Sequence, residues 1–394
     1  MCGKQWIQVL FVIAFITAVL YCIFRPAVQD YIAYSLHWSH ILSGGDPWVG
    51  TAEMNMYGHN AYGPLYILFV LPFSIDQKLP RIIFTIIWFA LAYWLIKKIY
   101  NSGKIQNKTK IILTLILILS PFLWLRTVHF GQFDIILAAL SLWSIDTKQQ
   151  NKSILSGILI TLAIALKYYP IVFVPFIFFS ERKPDFKFFF TFVVTSAVIF
   201  ATTYLIWGDT FIMAIKYASA RPSKMLSIFR FLRGTYSPLK IITGIHNVDR
   251  LSTLTIMISG FIIFIIYIRN KIDLITGSVI AINVTLLFYK VGHQQFHVLL
   301  YVLLVYWMLN KGVSDKLTFK AIMIYMLFIN IYDIGYVSLS WYKFHWSFVR
   351  EICGLFSFVI MSFLLYVLLY KQTNITSAII VSNDTSNQQL DYSD

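Results

Sequence analysis

Charge is scarce in this chain: Asp, Glu, Lys and Arg make up 12% of its 394 residues, about half of what a soluble domain carries. Acid is scarcer still, with 17 Asp and Glu against 32 Lys and Arg. The rest is 58% hydrophobic with a mean hydropathy of +0.72, and apolar windows of membrane-crossing length recur along nearly the whole sequence. These shortages exclude a water-soluble domain and describe a polytopic membrane protein. Cysteine is also rare. Cys2, Cys22 and Cys353 form no spaced cluster, which argues against a disulfide framework or a thiolate metal site and leaves them as small apolar fillers. No glycine-rich nucleotide-binding loop and no His-Glu-x-x-His pair occurs, so neither a nucleotide nor a zinc ion is expected.

What charge there is follows a rule. Lys97, Lys98, Lys104, Lys108 and Lys110 share one connection, Lys148 and Lys152 the next, Arg182, Lys183 and Lys187 a third; Arg269 with Lys271, then Lys311, Lys316 and Lys320, then Lys371 continue at alternate connections. This is the positive-inside pattern, which places those loops in the cytoplasm. The net charge of +15 therefore records topology and contact with anionic lipid headgroups rather than a nucleic-acid surface. Residues 7 to 24 lack a small-x-small cleavage site and read as a permanent first helix. Further spans are expected at 81 to 98, 110 to 126, 133 to 145, 153 to 167, 169 to 180, 187 to 206, 251 to 268, 273 to 289, 296 to 309, 318 to 338 and 348 to 370. That makes about twelve transmembrane helices in an all-α bundle with both termini cytoplasmic. Residues 62 to 73, "YGPLYILFVLPF", would break the alternation if they crossed, and read as a re-entrant or surface-lying helix. One domain, residues 1 to 372, is expected, followed by a polar, disordered cytoplasmic tail at 373 to 394.

On this topology the polar stretches that are not simply basic all face outward: residues 25 to 61, 126 to 134, 166 to 170, 207 to 250, 289 to 297 and 338 to 347. In the first of these, "VQDYIAYSLHWSHILSGGDPW", Tyr31, Tyr34, Leu36, Trp38, Ile41 and Leu42 imply an amphipathic interfacial helix that begins at Asp30. A carboxylate held there suits a general base acting on a hydroxyl at the membrane surface; capping of the helix is the plainer alternative. Asp46, before Pro47, reads as a turn residue.

The ordered set "D-Y-x-x-Y... L-x-G-G-D-P-W", "YGPLY", "GQFDIILAAL" and "ALKYYPIVFVPFIF" resembles the GT-C glycosyltransferases, in particular glycosyltransferase family 87 (the DUF2029 proteins). "FYKVGHQQFHVLLYVLL" is also similar to the late motif of the GPI mannosyltransferase I group. The resemblance covers most of residues 5 to 310. It implies a GT-C type bundle with external interfacial helices and inverting transfer of a hexose, usually mannose, from a polyprenyl-phosphate carrier. The acceptor is then a lipid, glycan or protein on the external, periplasmic face of a cell membrane, and no cofactor or nucleic acid takes part. The absent nucleotide loop agrees with a lipid-linked donor. By the same resemblance the catalytic aspartate maps onto Asp30.

Inverting transfer also needs cations facing the departing phosphate. Lys290, His293, Gln294 and His297 stand in the late motif, with the two histidines on one face if that stretch is helical. Arg230 and Arg233 sit on a short basic amphipathic segment and are the pair singled out among Lys216, Arg221, Lys224, Arg230, Arg233, Lys240 and Arg250 of the long external segment. Lys167 ends an apolar helix on the external side. His129, Gln132 and Asp134 belong to a second external loop, where Asp134 departs from the Asn that the family often has and either orients an acceptor or caps a helix. A flippase or ligase for lipid-linked glycans is the alternative, since it would handle the same carriers.

Overall fold

A computed structural model of the chain describes residues 2–26, 28, 30–50, 60–180, 182–234, 248–269, 272–312, 315–338, 349 and 351–370. The expected tail and the stretch at 339–348 lie outside the described residues, as do 51–59 and 235–247 of the two long loops. The fold is all-α. In order come α1 (Cys2–Phe24), α2 (Asp30–Leu42), a 3-10 turn (Pro64–Phe69) leading into α3 (Val70–Ile75), α4 (Leu79–Asn101) and α5 (Asn107–Leu119). A single turn α6 (Pro121–Leu123) and a π-helical turn (Trp124–His129) follow, then α7 (Asp134–Gln149), α8 (Ser153–Leu166), a 3-10 turn (Tyr169–Phe173) and α9 (Val174–Phe178). The second half holds α10 (Phe186–Trp207), α11 (Met213–Ala220), α12 (Ile228–Arg233), α13 (Val248–Ile268), α14 (Leu274–Phe288), α15 (His297–Lys311), α16 (Lys316–Ser338) and α17 (Glu351–Tyr370). Two residue pairs, β1 (Lys224–Met225) and β2 (Val291–Gly292), form one parallel bridge.

Seven helices among the described residues are long and apolar enough to cross a membrane. The other five expected spans are helical but shorter, and two of them lie wholly inside the protein. Every residue of α14 from Leu274 to Leu287 is buried, as is α15 from His297 to Leu309, so these two are apolar on all sides because protein surrounds them. A fifteen-residue helix is about 22 Å long against a hydrocarbon core of about 30 Å. The central helices are therefore shorter than the hydrocarbon core is thick, and irregular backbone at that depth has to lie against protein or a watery cavity.

The helix ends sort into two groups. α7 runs from Asp134 to Gln149, α8 returns from Ser153 to Leu166, and α15 runs from His297 to Lys311. Lysine-rich connections gather at one end, tied by Lys98 to Asp146 at 2.5 Å, Lys311 to Asp273 at 2.5 Å, and Lys148 to Asp185. Asp30, Asp134, Lys167 and the 289–297 stretch gather at the other. The helix expected at Asp30, α2, is present, but its buried face is Tyr31, Tyr34, His37 and Trp38, whereas Leu36 and Leu42 are exposed. Aromatic contacts decide this: Trp38 stacks on Tyr66 at 5.6 Å, and Tyr34 meets Tyr62 at 5.4 Å and Phe133 at 5.6 Å.

Candidate functional site

Two glycines let the backbone close up where the site forms. Gly63 donates to the Leu166 carbonyl at 3.0 Å, and a Cβ there would lie 2.3 Å from the Ala165 carbonyl oxygen. Any side chain at 63 would push Tyr62 away from the end of α8. Gly131 has φ +56°, which favours glycine, and a Cβ on it would collide with the Tyr31 ring at 2.5 Å. The turn it allows carries Gln132 across to Asp30.

Asp30 opens α2. Its Oδ2 accepts a very short hydrogen bond from Gln132 Nε2, and the Gln295 amide nitrogen, in the orientation its neighbours satisfy, lies 3.2 Å from the same oxygen. Among the described residues no backbone amide caps onto Asp30, and no donor reaches Oδ1. The Gln295 oxygen faces Lys167 Nζ at 3.2 Å. Lys167, extended at the end of α8, donates to Asp134 Oδ1 at 2.6 Å. The same ammonium stands 5.0 to 5.2 Å from the ring centres of Phe296, Phe133 and Tyr62, an aromatic cage for a desolvated cation. Asp134 is fully buried and serves as an ion partner, not as a cap: the helix begins behind Phe133 without a side-chain cap. Its Oδ2, together with Gln132 Oε1, Gln294 Nε2 and the Tyr168 and Tyr169 hydroxyls, is buried without a hydrogen-bond partner among the described residues. Buried polar groups are normally paired, so this cluster is chemically unfinished as it stands.

The long segment reaches the site through Arg221 and Lys224. The bridge from β1 to β2 pins it, as Lys224 N donates to the Lys290 carbonyl and Leu226 N to the Gly292 carbonyl, both at 3.0 Å. Burial first, then the charges of Arg221, Lys224, Lys167 and Arg126, push the His293 imidazole down to about 3, so it is neutral at neutral pH. Positive charge at this wall comes from the arginine and lysines instead. Behind it, Arg126 makes a buried two-pronged pair with Asp333, Nε to Oδ2 at 2.6 Å and Nη2 to Oδ1 at 2.5 Å.

Other expected residues turn elsewhere. His297 bonds the Tyr325 hydroxyl at 3.0 Å inside the bundle, and because His293 lies in extended backbone before a 3-10 turn the two imidazoles do not share a helical face. His129 meets the Tyr21 hydroxyl at 2.6 Å, against α1. Arg230 faces the buried Glu351 at 3.8 Å, and Arg233 reaches the Ser223 carbonyl at 3.4 Å. The Lys290 ammonium binds the Ser219 carbonyl, fastening the long segment. Asp46 accepts from Trp48 N at 2.8 Å and Val49 N at 3.2 Å, which makes it a turn residue. Tyr62 and Gln295 were missed among the site residues; both adjoin or interrupt motifs already noticed, "YGPLY" and "GHQQFH".

The family model for glycosyltransferase family 87 matches residues 60–288, more than half the chain and the source of Tyr62, Gln132, Asp134, Lys167 and Arg221. The chain belongs to glycosyltransferase family 87. It is a membrane-embedded glycosyltransferase with a sugar donor and an acceptor as substrates. Asp30 and Gln295 fall outside the matched span, so family 87 membership and the side-chain cluster are two separate observations. No curated protein matches the sequence.

Proposed function

We propose that this family 87 enzyme moves a hexose, mannose in the first instance, from a polyprenyl-phosphate carrier to a lipid, glycan or protein acceptor, with inversion, on the external face of a cell membrane. One observation carries the reading: Asp30 is held through Oδ2 by Gln132 and Gln295 while Oδ1 has no donor among the described residues. A carboxylate so oriented is prepared to accept a proton. In the step, the acceptor oxygen bonds the anomeric carbon, its proton passes to Asp30 Oδ1, and the bond from that carbon to the phosphate oxygen breaks. The phosphate leaves with its electrons and needs fixed positive charge, for which Arg221 and Lys224 beside His293 are placed. Lys167 neutralises Asp134 and bears on Asp30 through Gln295, so it positions the base. The external orientation rests on the lysine-rich connections at the opposite end, which the positive-inside rule assigns to the cytoplasm.

Purified protein incubated with radiolabelled polyprenyl-phosphate-mannose and a membrane lipid extract tests this. Wild type transfers label to a new product, and Asp30→Asn lowers the rate by about 10²- to 10⁴-fold while melting at the wild-type temperature. Equal product from both removes Asp30 from the chemistry. No product from either, across several carrier-linked sugars, turns the reading toward a flippase or ligase.

A further inference from the structure

Arg81, in the first turn of α4, is 2% exposed and lacks the partner that a buried cation normally has. Its Nε donates to the Val128 carbonyl at 2.5 Å and its Nη1 to the Arg25 carbonyl at 3.1 Å, and the guanidinium lies 5.4 Å over the Tyr21 ring. All of these are neutral. Nη2 is buried with no hydrogen-bond partner, and among the described residues no carboxylate forms an ion pair with Arg81. A buried charge satisfied only by neutral groups is costly, and an anion is what would offset that cost.

A cavity of about 330 Å³ opens beside it. Arg25, Lys78 and Arg81 line this cavity against one acid, Asp76. That acid is already engaged, accepting from Lys78 N at 2.7 Å at the turn into α4. The Lys78 ammonium reaches the Ile23 carbonyl at 2.7 Å, and Arg25 is exposed at the end of α1, where a lipid headgroup would lie. The remaining wall includes Tyr31 and Ser35 of α2. Tyr31 follows Asp30 directly, so the same turn of helix carries the proposed base and part of this cavity's wall.

We propose that the cavity is an anion subsite for the phosphate group of an amphiphilic acceptor, held by Arg81, Arg25 and Lys78 while the acceptor hydroxyl faces Asp30. The assignment of the ligand as acceptor rests on the transfer reading above; the anion site itself does not. The proposed donor phosphate is met by Arg221 and Lys224, so the two substrates would be anchored by separate sets of cations. Planar arginine and mobile lysine are the usual pair for a phosphate: one fixes geometry and the other adds charge.

The test is a melting titration of the full chain in neutral detergent with dihexanoyl phosphatidylglycerol, dihexanoyl phosphatidylcholine or inorganic phosphate. Arg81 braces Val128, so the variant is the rim pair Arg25→Gln with Lys78→Gln, checked for an unchanged melting temperature without ligand. Phosphatidylglycerol is expected to raise the melting temperature of wild type and of Asp30→Asn alike, phosphatidylcholine not, and the rim pair to weaken the apparent affinity about tenfold. No shift in wild type, or an equal shift in the rim pair, overturns the subsite. An equal shift from inorganic phosphate alone overturns the amphiphilic acceptor and leaves a site for the free ion. Because Asp30→Asn is inactive in the transfer reading and still binds here, failure of one idea is separable from failure of the other.

Discussion

Three aspartates at one end of the bundle and two at the other are held in opposite ways. At the lysine-rich end three described aspartates have both oxygens engaged. Asp273 accepts from Ile275 N, Thr276 N and the Thr276 hydroxyl and pairs with Lys311. Asp185 caps α10 through Phe188 N and binds both Lys148 and Ser153. Asp146 joins Lys98, Tyr306 and Gln150. At the other end Asp30 keeps one oxygen without a donor and Asp134 keeps one buried and unpartnered among the described residues. The saturated carboxylates fasten helices together; the transfer proposed above draws on the vacant oxygen of Asp30.

The largest test of that contrast breaks a pair at each end. Lys167 and Asp134 are 6% and 1% exposed, so Lys167→Met strands a buried carboxylate and should destabilise the protein by about 3–5 kcal/mol, with transfer lost as well. Lys311 and Asp273 are 31% and 37% exposed, and Lys311→Met should cost less than about 1 kcal/mol with transfer intact. Chemical unfolding in detergent micelles compares them; equal losses would remove the distinction between the ends.

A second comparison separates two arginines of one loop. Arg221→Gln should lower kcat/KM for the donor about a hundredfold, as loss of a charge-stabilising group does. Arg230→Gln removes a cation facing the buried Glu351, so any cost falls on the melting temperature, and kcat/KM should stay within about threefold of wild type. A drop of the same size in both would place the donor phosphate along the whole loop rather than beside His293.

Acid titration gives a further test of the same wall. His293 is held down at about 3 when folded against an ordinary value of about 6.5, so the unfolded chain binds the extra proton between those values. Its stability contribution is present above about pH 6.5 and is lost as pH falls toward 3. Burial alone would raise Asp185, but hydrogen bonds from Lys148, Ser153 and Phe188 N hold it down to about 2; its contribution survives until pH passes below its ordinary value of about 3.9. Melting temperatures between pH 7 and 4 should therefore flatten in His293→Gln and keep the wild-type slope in Asp185→Asn. An unchanged slope in His293→Gln would count against an imidazole held neutral at this wall.

Much of this was legible in order and spacing. The helical stretches, the start of α2 at Asp30, the turn at Asp46 and the alternation of basic connections all follow from local patterns of apolar residues and charge. The motifs led to family 87 through "YGPLY", "GQFDIILAAL" and "ALKYYP". Less legible was which cations converge. Arg230 and Arg233 looked like the pair facing the substrate, and Glu351, more than a hundred residues away, draws Arg230 off. His293 and His297 were spaced for one helical face, yet a 3-10 turn between them sends one toward the site and the other to Tyr325.

The sequence by itself determined the environment, the class of secondary structure and the end of each helix at which polar side chains stand. Those properties depend on neighbours within a few turns, where an apolar run or a glycine acts directly. Only the tertiary structure decided which helix ends meet. Gln132 finds Asp30 across 102 positions, Arg126 finds Asp333 across 207, and Lys167 finds Asp134 across 33. No local period encodes such pairings, because they arise from the packing of short central helices inside longer ones. The cavity at Arg81 was invisible for the same reason: its cations come from the end of α1 and the start of α4, and only the fold sets them around one space.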